Sequence, residues 1–151
     1  MKSSSFSLLS LAIPDSVLEL FHTNEKLKIG LISDLHIDII HDGSHRLQVF
    51  LEEMEKQKVN ALIQMGDFAI PKAENQNFVQ AFNTAHPKAF HVLGNHDLDE
   101  GFSRENAAEI LGMPSTYYSE DLGELQLVVL DGNEPGGPNK QGVYEDRKSV
   151  V

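Results

Sequence analysis

Apolar segments with strand character alternate with amphipathic segments of helical period from residue 27 onward, and this alternation constrains the fold most. Three short apolar runs predict buried strands, at residues 28–32, 59–65 and 89–93. Between the first two runs, apolar side chains recur every three or four positions in the segment 47–54, which is typical of a helix packed on a sheet. Because strands that alternate with helices build parallel sheets, the sequence predicts an α/β fold with a mostly parallel sheet and flanking helices.

Residues with known preferences for helix ends and turns mark the boundaries of the later elements. A second helix is predicted around residues 78–85 and a third over residues 103–111. Ser44 and Ser103 are predicted N-caps of the first and third helices, and Gly112 is predicted to end the third. A further strand is predicted at residues 125–130, with a shorter one before it. The glycine- and proline-rich stretch 132–142 predicts a loop.

The N-terminal segment differs in character from the rest of the chain. We assign residues 1–26 to an arm and residues 27–151 to one domain. The apolar run Phe6–Ile13 is too short to span a membrane. It also lacks the small-residue cleavage site of a signal peptide, so we favour an arm with a short helix over Asp15–Phe21 that packs on the domain. We accordingly favour a soluble, cytoplasmic protein over an exported one.

Charge and composition exclude several classes of function. The 151 residues carry 23 acidic and 12 basic side chains, which gives a formal net charge of −11. Such a field repels nucleic-acid backbones, so we expect no nucleic-acid binding. It does not exclude a phosphate ligand, because bound divalent cations reverse the sign of an acidic site locally. The absence of cysteine excludes disulfides, thiolate metal sites and a cysteine nucleophile.

A cluster of polar side chains follows each of the three predicted strands. The clusters are Ser33-Asp34-Leu35-His36, Gly66-Asp67 and Gly94-Asn95-His96-Asp97. Loops at the carboxyl ends of parallel strands converge on one crevice, so we expect the three clusters to meet in space. Their carboxylates, imidazole and amide oxygen are ligands for hard or borderline divalent metals. Each motif alone also occurs as a turn or a surface pair, but their coincidence after three buried strands favours a metal site.

The spacing within the clusters suits shared coordination. In an extended segment, residues i and i+2 point the same way, so Asp34 and His36 are expected to contact one ion together. The glycine before Asp67 allows the backbone to bring that carboxylate close to the metals, where it can bridge two ions. Asp97 is expected to hydrogen-bond the ring of His96 and fix its tautomer.

These motifs resemble the first three motifs of the calcineurin-like metallophosphoesterase family, over residues 27–131. The resemblance implies that the domain forms the first half of an α/β sandwich of that type. It implies metal ligands at Asp34 and His36 for the first ion, Asp67 as the bridge and Asn95 for the second ion. It also implies catalytic roles for His96 and Asp97, with His96 contacting the phosphate and assisting departure of the leaving group.

The same resemblance indicates the chemistry. It implies two divalent metal ions, Mn²⁺, Fe or Zn²⁺, that activate a water for hydrolysis of a phosphate ester. The expected partner is therefore a phosphate-ester small molecule. Among such esters we prefer cyclic nucleotides or similar small diesters, on the resemblance alone.

The sequence departs from the family pattern in two places. Many members carry a second acidic residue three positions after the bridging aspartate, and here that position is Ile70. No histidine follows His96, although the family completes its site with a downstream Gly-His-x-His motif. We therefore expect a domain that is incomplete at its C-terminus, with an uncovered sheet face and edge through which the chain self-associates.

Other hypotheses compete with this one. Phosphatases of the haloacid-dehalogenase type carry a second aspartate two residues after the nucleophilic one, where this chain has His36. Hydrolases of the metallo-β-lactamase type need a His-x-His-x-Asp-His run, which does not occur. The non-enzymatic alternative is a truncated or degenerate relative that binds metal weakly and serves as a structural or partner-binding domain.

Overall fold

A three-stranded parallel sheet forms the centre of the fold. The computed structural model describes residues 26–123 and 125–133. Its strands are β1 (Ile29–Ile32), β2 (Ala61–Gln64) and β3 (Ala89–His91), and they lie in that order across the sheet. Both pairs of neighbours are parallel, and each strand lies within its predicted apolar run. The prediction of an α/β fold with a parallel sheet is confirmed.

Helices connect the strands in the predicted alternation. The helix α1 (Gly43–Gln57) joins β1 to β2, α2 (Gln76–Ala85) joins β2 to β3, and α3 (Arg104–Leu111) follows β3. Short 3-10 helices precede α2 and α3, at Ala73–Asn75 and His96–Gly101. The second of these belongs to the loop that follows β3, so it bears directly on the third polar cluster.

The ends of the helices test the predicted caps. The Ser103 hydroxyl accepts a hydrogen bond from the Asn106 N–H, and Gly112 closes α3 with a φ of 81°. Both predictions for this helix are confirmed. The predicted N-cap at Ser44 is wrong, because α1 already begins at Gly43 and includes Ser44 in its first turn.

An antiparallel ribbon follows the third helix. Its strands are β4 (Tyr118–Asp121) and β5 (Gln126–Val129), which pair with each other and form a sheet of their own. The Tyr118 hydroxyl accepts a hydrogen bond from the His91 N–H at 3.1 Å and donates one to the His91 carbonyl at 2.7 Å. The ribbon is thereby fixed beside β3, and the two later strands are where the sequence predicts them.

The hydrophobic core lies between the sheet and the helices. A Cβ atom at Gly30 would lie 2.5 Å from the sulfur of Met54, so β1 and α1 pack in close contact there. Phe68 and Phe82 are fully buried, and their rings meet edge to face with centroids 5.8 Å apart. This packing holds the strand ends rigidly beneath the loops that carry the polar clusters.

The opposite face of the sheet is apolar and only partly covered in the described part of the chain, because Ile63 is buried there while residues around it are exposed. Leu31 follows Gly30 and therefore points to the other face, as does Met65 after β2. Their exposed fractions are 56% and 52%. Apolar side chains are therefore exposed on part of this face, while the self-association expected from them stays a prediction.

Several predictions fall on residues that the structure does not describe. The arm up to residue 25, its helix over Asp15–Phe21 and the loop beyond residue 133 lie outside the described residues. The division into an arm and a domain at residue 27 therefore stays a prediction. Among the helices in the described ranges, none has the length and apolar character needed to cross a membrane.

Candidate metal centre

The three polar clusters meet at the carboxyl ends of the parallel strands, as predicted. The Asp34 N–H donates to the Gly66 carbonyl at 3.1 Å, and the His36 N–H donates to the Asp67 carbonyl at 3.0 Å. The third loop joins them, because the His96 N–H donates to Asp67 Oδ1 at 2.9 Å. Backbone hydrogen bonds thus fix the three loops to one another around the Asp67 side chain.

Asp34, His36 and Asp67 form a group that can hold a metal ion. One ligand atom of each lies within 4.8 Å of the other two. His36 Nε2 lies 3.9 Å from Asp34 Oδ1 and 3.6 Å from Asp67 Oδ2. These separations are too long for hydrogen bonds. They are shorter than twice a metal–ligand bond of roughly 2.1 Å, so they suit atoms that share one ion.

The backbone reaches this arrangement through left-handed conformations. Asp34, His36 and Asp67 have φ values of 55°, 42° and 55°. Each such conformation costs a non-glycine residue about 1 kcal/mol or more, and such strain concentrates at functional sites. The prediction that an extended segment pairs Asp34 with His36 is therefore wrong. The two side chains converge through a strained turn instead.

Two glycines allow the loops to approach each other. Gly66 has a φ of 103°, which a residue with a side chain rarely adopts. A Cβ atom at Gly94 would lie 2.1 Å from Asp67 Oδ1, so no side chain fits at that position without moving the carboxylate. Gly94 therefore leaves room for the Asp67 carboxylate, in addition to preceding Asn95.

The charges of the group favour a cation. Asp34 and Asp67 are two carboxylates close together, and within the described ranges neither forms an ion pair with a lysine or an arginine. A divalent cation would relieve their mutual repulsion. The His36 ring directs Nε2 to both carboxylates, while its Nδ1 is buried without a hydrogen-bond partner among the described residues. Two carboxylates and an imidazole form a donor set that fits Mn²⁺, Fe or Zn²⁺.

Asp97 holds two of the loops together from beneath. It is fully buried, and its carboxylate accepts hydrogen bonds from the N–H groups of Gly94 (2.8 Å), Asp67 (3.1 Å), Phe68 (2.9 Å) and Ala69 (3.3 Å). Burial raises the pKa of Asp97 to about 6, although the backbone N–H groups act in the opposite direction. Asp97 therefore fixes the backbone of the site and has no free oxygen directed at a substrate.

The ring of His96 contacts two other carboxylates. Its Nδ1 lies 2.6 Å from Asp99 Oδ2, and its Nε2 lies 3.3 Å from Asp38 Oδ2. The expectation that Asp97 hydrogen-bonds this ring is wrong, because the Asp97 carboxylate is directed at the backbone of the neighbouring loop. Burial of the ring lowers the pKa of His96, but the Asp99 hydrogen bond and the charge of Asp38 outweigh it and raise the pKa.

His96 also lies beside the metal-competent group. Its ring centroid is 4.7 Å from that of His36, with the planes tilted by 58°. Sequence reasoning missed Asp38 and Asp99, although two spacings point to them. Asp38 lies two residues after His36, and Asp99 lies three residues after His96, at the break in the 3-10 segment.

Asn95 lies between two residues that contact Asp67. Gly94 approaches the Asp67 carboxylate closely, and His96 donates its N–H to it. The Asn95 side chain is exposed at this point of the crevice. Its place beside Asp67 is compatible with a ligand for a second ion, and the assignment stays a prediction.

The remaining described histidines lie outside this group. His91 is buried, and its Nε2 donates to Asn83 Oδ1 at 2.8 Å, because the Asn83 amide nitrogen itself donates to the Leu111 carbonyl. Burial lowers the pKa of His91 to about 4, so the ring is neutral near pH 7. His91 is therefore a structural histidine, as its place within a strand predicts.

The comparisons with known proteins agree with this geometry. The family model described as calcineurin-like phosphoesterase matches residues 27–148, which include all three strands and all three polar clusters. No curated protein matches the chain significantly. Membership of this family supports a metal-dependent phosphoesterase in general, in keeping with the Asp34, His36 and Asp67 group. With the matched segment covering most of its length, this chain belongs to the calcineurin-like phosphoesterase family.

Proposed function

We propose that this chain forms the metal-binding part of a phosphoesterase that uses two divalent ions and a metal-activated water. The convergence of Asp34, His36 and Asp67 carries the proposal, because their ligand atoms lie within 4.8 Å of one another on strained backbone. Residues in strained backbone conformations cluster at functional sites.

Each ligand has a place in the proposed site. Asp34 and His36 would hold the first ion, and Asp67 would bridge the two, since it lies among all three loops. Asn95 would hold the second ion from the exposed side of the crevice.

The chemistry divides between the ions and the protein. When bound, a pair of divalent ions supplies an activated water and neutralises charge that develops on the phosphate oxygens. The chain holds the donor atoms in place before binding, through the backbone hydrogen bonds around Asp67 and the buried carboxylate of Asp97. This preorganisation reduces the rearrangement that catalysis would otherwise require.

His96 is the proposed proton donor. The carboxylates of Asp38 and Asp99 favour the protonated ring, and a protonated imidazole can transfer a proton to a departing alkoxide. Of the two ring nitrogens, Nε2 has the longer contact, 3.3 Å, and is the one that we expect to face the ester.

The proposed substrates are small phosphodiesters such as cyclic nucleotides. Family membership supports ester hydrolysis in general. The net charge of −11 disfavours long polyanions, whereas a small diester can bind once the ions have reversed the local charge.

A second hypothesis is metal binding without turnover. The single group of three ligands found among the described residues favours it, because Asp34, His36 and Asp67 can share one ion. In that case the chain serves as a structural or partner-binding domain.

Metal titration separates the two hypotheses. Isothermal titration with Mn²⁺ and Zn²⁺, together with elemental analysis, is expected to give two ions per chain for the wild type. Asp67→Asn is expected to lose both, because the bridging carboxylate is the ligand that the two ions share. One ion per chain in the wild type would support the second hypothesis.

Hydrolysis of bis(4-nitrophenyl) phosphate in the presence of Mn²⁺ then tests turnover. We expect the wild type to hydrolyse the diester faster than Asp67→Asn. Asp121→Asn is a matched control, since it removes one carboxylate from the exposed β4–β5 turn, away from the crevice. Equal rates for the wild type and Asp67→Asn would refute the mechanism.

A further inference from the structure

Two carboxylates contact the ring of His96, one at each nitrogen. Asp99 Oδ2 lies 2.6 Å from Nδ1, and Asp38 Oδ2 lies 3.3 Å from Nε2. The His96 side chain is only 9% exposed, so these contacts fix the rotation of its ring. The unequal distances make the Asp99 contact the firmer of the two.

The two carboxylates come from different loops. Asp38 follows His36 in the loop after β1, and it reaches across the crevice to a ring carried by the loop after β3. Asp99 lies on the same loop as His96, at a break in the 3-10 helix where its ψ is 166° and the next residue, Glu100, has a φ of 58°. This break turns the Asp99 side chain back to Nδ1.

Neither contact is explained by stability alone. The Asp99 side chain is 55% exposed, and an ion pair of that exposure contributes little to folding. The Asp38 side chain is 9% exposed, and its Oδ1 is buried without a hydrogen-bond partner, which costs folding free energy. A carboxylate that lowers the folding stability and contacts a ring with a proposed catalytic role is expected to act on that ring.

We propose that Asp99 and Asp38 are positioning residues for His96, an inference that rests on the proposed function of this site. Asp99 fixes the rotation of the ring through Nδ1. Asp38 holds Nε2 in place, and a phosphate oxygen of the substrate takes over that contact when the ester binds. Asp38 therefore competes with the substrate for Nε2, whereas Asp99 stays bound throughout.

The spectroscopic test does not depend on activity. The ring ¹⁵N signals of His96, assigned with a His96→Gln variant, are recorded on the metal-free protein at one pH. We expect these signals to shift in Asp99→Ala and to move back towards the wild type in Asp99→Asn, whose amide oxygen still accepts from Nδ1. Glu100→Gln is the matched control, because Glu100 has a similar exposure, pairs with Lys72 and does not contact the ring.

Kinetics on the diester then separate the two roles. In Asp99→Ala, kcat is expected to fall about 10- to 100-fold with little change in KM, as is typical when the partner that orients a functional histidine is lost. In Asp38→Asn, KM is expected to fall, because a neutral amide competes less with phosphate than a carboxylate does. Glu100→Gln is expected to match the wild type in both.

The outcomes are distinct. Unchanged His96 signals in Asp99→Ala would overturn the proposal whatever the activity. A kcat in Asp99→Ala equal to that of Glu100→Gln, or a raised KM in Asp38→Asn, would also overturn it. If the wild type hydrolyses no diester, the proposed function fails, and the ring signals alone decide whether Asp99 positions His96.

Discussion

Replacing Asp97 by alanine is expected to damage folding and metal binding together. The fully buried carboxylate accepts four backbone hydrogen bonds, from Gly94, Asp67, Phe68 and Ala69. The substitution leaves four donors without their acceptor, at about 1.5 kcal/mol each, or about 6 kcal/mol in total.

In the wild type, keeping the buried Asp97 carboxylate charged costs free energy, and this cost offsets part of the loss expected for Asp97→Ala. Burial raises the pKa of Asp97 from 3.8 to about 6, which corresponds to a cost of about 3 kcal/mol for keeping the group charged near pH 7. The expected net loss for Asp97→Ala is therefore about 3 kcal/mol in the free energy of unfolding. Urea unfolding at pH 7, in EDTA to remove metals, measures this difference.

Metal affinity distinguishes damage to the metal site from a general loss of stability. Asp97→Ala frees the N–H of Asp67, so we expect Mn²⁺ affinity to fall about 10- to 100-fold by isothermal titration. Asp131→Ala is the matched control, because Asp131 is equally buried but pairs with Arg104 and is not one of the metal-competent group. A stability within about 1 kcal/mol of the wild type, or equal metal affinity in the two variants, would refute the reasoning.

Three further predictions concern pH, sterics and association. Because burial lowers the pKa of His91 to about 4, the neutral ring contributes stability that is present above pH 6.5 and is lost as the pH falls towards 4. Relative to His91→Gln, the free energy of unfolding of the wild type should fall by about 3 kcal/mol over that range. A difference between the two proteins that stays constant with pH would contradict this. In Gly94→Ala, the added Cβ would lie 2.1 Å from Asp67 Oδ1, so metal binding measured by elemental analysis should be lost; retained stoichiometry would show that the loops adjust. The wild type should self-associate in light scattering through the face that exposes Leu31 and Met65, and replacing both by glutamine should shift it to a monomer, whereas a monomeric wild type would contradict the prediction.

The sequence by itself determined the fold class and the location of the site. Alternating apolar and amphipathic segments define strands and helices through local periodicity, and parallel strands place their carboxyl ends at one edge. Asp34, Asp67 and His96 each follow one of those strands, so their convergence was predictable without coordinates. The ends of α3 were predictable for the same reason, since Ser103 and Gly112 act on their own helix.

Tertiary structure decided which side chains touch within the site. Asp97, Asp99 and Asp38 are all acidic and all close to His96 or His36 along the chain, and spacing alone does not distinguish their partners. The turn at the end of β2 presents its N–H groups to Asp97, and the break in the 3-10 helix directs Asp99 to the ring instead. These contacts depend on the backbone dihedral angles of individual loop residues. Only the packing of the three loops against one another fixes those angles.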